Sequence, residues 1–187
     1  MSALRALMLL PVLAIAGCGD NDARYLLTTP APQQQACVPL STIEVREVTL
    51  PAYASAAEIM LQEADGSLRP MARSVWADDP VRALTLALAR NLDAASTATA
   101  MSEPWPLERP ADVRIDVRIE QMVAQADGQF RLAGQYSIAS PDYVVRESIN
   151  RFDILRPMRD TTPGAVAEAS GAAVLALSDL IVARLRR

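Results

Sequence analysis

The alternation of apolar and polar positions is sharpest over residues 112–123. Val113, Ile115, Val117 and Ile119 fall on one side of an extended chain, and Asp112, Arg114, Asp116, Arg118 and Glu120 fall on the other. A period of two with one charged face predicts a half-buried antiparallel strand. Asp127-Gly128 supplies turn chemistry, after which Phe130, Leu132, Gly134, Tyr136 and Ile138 alternate in a return strand. Pro141-Asp142 marks a second turn, and a third strand with weaker alternation is predicted over residues 143–155. Together these form a meander. Upstream, the β-branched run 42–50, stopped by Pro51, and the segment 58–62 predict two more strands, with Asp65-Gly66 turning a hairpin over residues 61–71. Short strands are also expected at 24–27 and 97–101.

Two segments change to helical spacing. Asp78 or Asp79 can cap the first, and Pro80 suits its opening position. Val81, Leu84, Leu88 and Leu92 form one apolar face, Leu86 lies off it, Arg82, Thr85 and Asp93 lie elsewhere, and the helix should end near Ala95. Thr162 can cap and Pro163 can open the last helix, 165–185, whose Ala, Gly and Ser residues permit close approach to a sheet. Arg184, Arg186 and Arg187 suit its C-terminal dipole. A membrane span is the rival reading of this helix, but Glu168 and Asp179 interrupt the apolar run and Ser170 and Ser178 dilute it. The sum is an α+β domain over residues 41–187, an antiparallel sheet with a C-terminal meander backed by two helices.

The chain opens differently. One positive charge, Arg5, precedes an apolar run over residues 6–16, and Gly17-Cys18 follows. A charged start, an apolar stretch of roughly 7–15 residues and small residues at the cut make a secretory signal peptide, here residues 1–17. Pro11 interrupts the run, which is shorter than the ~20 residues of a membrane-spanning helix. Ile15-Ala16-Gly17-Cys18 resembles the lipobox of bacterial lipoproteins, which implies cleavage before Cys18 and lipid on its sulfur and new N-terminus. Several acyl chains give stable anchoring where one is marginal. Residues 18–40, with three Pro between Thr28 and Pro39 and a Gln33-Gln34-Gln35 run, read as a lipidated tether and crossing segment.

Composition narrows the chemistry. All 18 basic residues are Arg, and removing residues 1–17 takes away Arg5 and no acid, so the remainder is one unit more negative than the −4 of the whole chain. That balance argues against a nucleic-acid partner. The chain has no His, which excludes Ser-His-Asp and Cys-His catalysis and His-ligated metals. No Gly-rich phosphate loop is present, and no cofactor site is expected. With Cys18 lipidated, Cys37 is the remaining thiol, expected buried and inert rather than bridging chains. Asp112, Asp116 and Glu120 share a strand face as a hydrolase's carboxylates would, but Arg114 and Arg118 alternate with them as in a solvated charged face. Such a face can instead set register against a neighbouring subunit. Trp76 and Trp105, beside Asp or Pro in loops, are read equally as interface anchors or as core.

In order and spacing, several segments resemble the ABC-type transport auxiliary lipoprotein family. They are Tyr25-Leu-Leu, Ile43-Glu-Val-Arg-Glu-Val-Thr-Leu-Pro-Ala-Tyr, Trp76-Ala-Asp, Pro104-Trp-Pro, Asp112-Val-Arg-Ile-Asp-Val-Arg-Ile and Ala167-Glu-Ala-Ser-Gly-Ala-Ala-Val-Leu-Ala-Leu-Ser. Leu26 departs from the pattern where a second aromatic is expected, as does Ala57-Glu-Ile-Met where an Arg is expected before the Ile. The resemblance implies a non-enzymatic outer-membrane lipoprotein that works with an MCE-domain protein bridging the periplasm in lipid transport, as a ring-like homo-oligomer. Gly19, rather than Asp, after Cys18 favours the outer membrane. The alternative function is a lipid-binding carrier whose pocket is lined by Val81, Leu84, Leu88 and Leu92, a stripe that reads more simply as core.

Overall fold

The computed structural model describes residues 21–186. Along the chain run β1 (Ala23–Tyr25), β2 (Thr42–Val45), α1 (Ala52–Ser55), β3 (Glu58–Gln62), β4 (Leu68–Trp76) and α2 (Pro80–Ala95). Then come β5 (Thr99–Ser102), β6 (Val113–Gln125), β7 (Gln129–Ala139), β8 (Ser148–Pro157) and α3 (Pro163–Leu185).

The long strand β6 organises the sheet. One edge pairs antiparallel with β7, from Arg114 opposite Ala139 to Ala124 opposite Phe130, and β7 pairs antiparallel with β8. This is the meander that the alternation predicts. The other edge of β6 takes two parallel partners end to end, β2 at residues 113–115 and β3 at 124–125. From β2 hangs β5, parallel; from β3 hangs β4, antiparallel, and then β1, parallel to β4. The α+β class and the meander are as read from the chain, but the eight-stranded sheet is mixed rather than antiparallel throughout. The parallel pairs arise because some connections bring the chain back running in the same direction, as the α1 connection does between β2 and β3, which both run with β6.

The inner face carries the core. Val113, Ile115 and Val117 are fully buried beside Phe130, Leu132 and Ile138 of β7 and Phe152 and Ile154 of β8. A bulge at Glu120 breaks the pairing with β7, so Glu120 and Gln121 both face outward and Met122 resumes the inner face. Both helices pack on this side and against each other. In α2 the carboxylate of Asp79 accepts from the Arg82 backbone N–H at 2.8 Å, and Pro80 opens the helix. Thr85, assigned outside the apolar face, is buried: its hydroxyl donates to the Val81 carbonyl at 2.7 Å and accepts from the Val48 N–H at 3.0 Å. The helix α3 is long and apolar enough to cross a membrane, yet two thirds (67%) of its most apolar stretch is buried in the fold. Ser170 and Ser178 cause no penalty there, each hydroxyl bonding the carbonyl four residues back.

Three further expectations change. The run 42–50 is a ladder only to Val45; beyond it Arg46 and Thr49 still donate to Ile115 and Val117 carbonyls, at 2.9 and 3.0 Å, as the chain swings out toward α1. Residues 143–147, expected to open the third strand, belong instead to a loop that follows the turn at 141–142 and folds on Ser140, whose hydroxyl donates to the Asp112 carbonyl at 3.0 Å. Tyr143, at φ +53°, tips that loop and is 81% exposed. Cys37 is exposed, because Val38 and Leu40 take the inward positions on either side of Pro39.

Candidate functional site

Among the described residues, no helix covers the outer face of the meander. Across it the register sets Asp116, Ser137 and Ile149 in one row, Arg118, Gln135 and Arg151 in the next, and Ala133 beside Asp153 and Arg131 beside Leu155 further along. Its charges are paired with one another. Arg131 grips Asp153 with two parallel bonds of 2.9 and 2.7 Å, Arg118 lies 3.5 Å from Asp116, and Arg151 lies 3.7 Å from Glu120. The hydrogen bond from Arg131, helped by its charge and opposed by slight desolvation, holds the Asp153 carboxyl below the usual range. Ile149 is 77% exposed and Leu155 is 51% exposed on the same face. The result is a flat, charge-balanced surface with apolar side chains on its outer strand, suited to a protein partner more than to a small substrate.

The two arginines singled out by the sequence differ. Arg118 is free on the surface apart from Asp116. Arg114 bonds Glu44 at 3.0 Å, and the Glu44 side chain is only 8% exposed, so Arg114 balances a buried carboxylate. The carboxylates of the hydrolase reading do not converge. Asp112 accepts from the Ser41 and Thr42 N–H groups at 2.7 and 3.1 Å and so fixes the start of β2, while Asp116 and Glu120 are held by arginines. Among the described residues no group of three His, Cys, Asp or Glu is placed to hold a metal.

The tryptophans lie apart from that face. Trp76, at the end of β4, is 8% exposed and belongs to the core cluster. Trp105 is half-buried in the β5–β6 connection, its indole N–H donating to the Arg109 carbonyl at 2.8 Å. Cys18 lies outside the described residues.

A cleft of about 400 Å³ opens on the other wing, between residues 25–29 and α2. Leu26, Leu27, Trp76 and Leu86 give it an apolar lining, with Asp78 and Arg90 as its charged groups. The segment 25–29 is wedged inward at Gly171 of α3, where a Cβ would stand 2.0 Å from the Thr28 carbonyl oxygen. Thr29 donates to Asn91 Oδ1 at 3.2 Å, while Asn91 Nδ2 is buried without a partner. The stripe Leu84, Leu88 and Leu92, offered as a pocket lining, is instead core. The cleft uses the neighbouring stripe Ala83, Leu86 and Arg90, and Leu86 lying off the main face was its one sign in the sequence.

The model of the ABC-type transport auxiliary lipoprotein component family matches residues 25–182. The chain belongs to that family. The match runs from β1 almost to the end of α3, so it takes in both the open face and the cleft of this auxiliary lipoprotein. A search among curated proteins finds no relative. Among solved structures, the auxiliary lipoprotein is similar to a protein from Xanthomonas campestris, with TM-score 0.66 and 16% identity over 87% of this chain and 95% of that one. It is also similar to an uncharacterized protein, with TM-score 0.65 and 15% identity over 83% of this chain and 98% of the other. At such identities the likeness is one of fold. Family membership makes the chain a component of a transport system at the cell envelope.

Proposed function

We propose that the chain is a non-enzymatic lipoprotein, anchored through Cys18 to the periplasmic face of the outer membrane, that docks the periplasm-spanning MCE assembly of a lipid transport system. The open face of the meander carries this reading. It is a broad, ordered surface whose charges are already mutually neutralised, so a partner can cover it without stranding a buried ion. The topology supports the orientation. Strand β1 runs parallel to β4, so the chain enters β1 at Ala23 from the side of the β3–β4 hairpin, which lies at the C-terminal end of β6. The exposed Tyr143 loop lies at the opposite end, where β7 leaves β6 near Asp112. A body tethered by its N-terminus therefore presents that loop away from its own membrane. The partner that covers Arg118 and its row would be a neighbouring copy in a ring-like homo-oligomer, whose Tyr143 loops together would meet the MCE assembly, with Trp105 as a further contact.

The test is a detergent pull-down from intact envelopes with a C-terminally tagged chain, followed by mass spectrometry. Recovery of an MCE-domain protein supports docking. Recovery of the lipoprotein alone, or with peptidoglycan-binding or outer-membrane assembly factors, rejects it.

A further inference from the structure

The cleft between residues 25–29 and α2 lies apart from the open face, and its chemistry is specific. Its walls are Leu26, Leu27 and Leu86, and Trp76 stands among them with little of its surface open. A volume of about 400 Å³ lies at the small end of the ~300–1,000 Å³ usual for ligand sites, which suits one alkyl chain rather than the two of a phospholipid. The two charged groups are unequal. Asp78 is neutralised by Arg82 one turn into α2. Arg90 is exposed, so it stands at the mouth, and it makes no ion pair among the described residues. A slot walled by leucines, with polar groups of Thr28 and Thr29 along one side and one unopposed guanidinium at its mouth, matches an amphiphile with a single chain and a carboxylate head, which Arg binds bidentately.

We propose that this cleft binds one long-chain fatty-acid anion, its chain between Leu26 and Leu86 and its carboxylate on Arg90. The supply follows from the tether, and this step alone rests on the anchoring proposed above. Leu26 is eight residues from Cys18, a span of at most about 29 Å even when fully extended. The cleft is thus held close to the bilayer that would deliver the ligand.

The experiment uses residues 19–187, which hold every element of the fold, prepared without detergent. A dansylated long-chain fatty acid and its methyl ester are each titrated by fluorescence. The unaltered chain should bind the acid saturably at one site. Leu86→Trp, which fills the slot, should weaken both probes by about tenfold or more. Arg90→Glu should weaken the acid by a similar factor and leave the ester unchanged, with thermal melts showing that both variants fold. Absence of saturable binding to the unaltered chain overturns the proposal, as does a Leu86→Trp or Arg90→Glu chain that binds the acid as the parent does. Docking fails or stands separately: Arg90→Glu in the full-length lipoprotein should still recover the partners of the parent chain from envelopes.

Discussion

Gly134 sits where only glycine fits. It lies opposite the Glu120 bulge, and a Cβ there would stand 2.2 Å from the Arg118 carbonyl oxygen, a backbone atom that has no room to yield. Gly134→Val should therefore destabilise the fold by about 1–3 kcal/mol or more, read from urea unfolding. The alternation of residues 130–138 placed Gly134 inward but gave no reason for its size; the reason is the extra residue in β6, which leaves no mark in β7. The paired arginines make the same point. By sequence Arg114 and Arg118 are equivalent, two residues apart on one face. In the fold Arg114 balances the buried Glu44 while Arg118 meets only exposed Asp116. Arg114→Ala should cost about 1–3 kcal/mol by leaving Glu44 unpaired. Arg118→Glu should stay within about 0.5 kcal/mol of the parent in unfolding experiments. Arg118 is thus the clean probe of assembly, and its reversal should lower the mass seen by light scattering. Unchanged mass would remove this face from the ring.

Among the elements, legibility followed locality. The meander and both long helices could be read because their signals sit within a few residues: alternation, turn pairs and caps. The Asp79 cap, one of two candidates in the sequence, is a case where geometry chose. Asp79→Ala should cost about 0.5–2 kcal/mol and Asp78→Ala less, by thermal melts. The parallel pairings of β2 and β3 with β6 bring together residues about 60–70 apart in sequence. No local pattern announces them, and so the sheet was read as antiparallel. The cleft was hidden for the same reason, its walls being the first described strand and the second stripe of α2. Between β7 and β8, the lowered pKa of Asp153 gives a pH signature. Because its carboxyl titrates below the unfolded value, the contribution is present above the ordinary carboxylate range and is lost as pH falls through the folded value. The stability difference between the parent and Asp153→Asn should be small at neutral pH, given the exposure of the pair, and should shrink as pH falls through the folded-state value.

For the whole molecule, the single strand β6 is shared property. The eight-stranded sheet splits into two wings, β2–β5 and β3–β4–β1, and each wing reaches the meander only through one edge of β6. Yet β6 begins at Val113, after the strands of both wings have been made. A chain emerging from its N-terminus therefore assembles two half-sheets with open edges and the apolar side chains of Ile43, Val45 and Ile59 uncovered until residues 113–125 arrive. Such edges are templates for mispairing. Truncation before residue 113 should yield aggregate rather than a smaller folded unit, whereas loss of only the two arginines after Leu185 should leave a soluble chain, a contrast visible in a sedimentation assay. Completion of the sheet is thus a late event, timed by the arrival of one strand, and the interval before it is when this protein has most need of a chaperone.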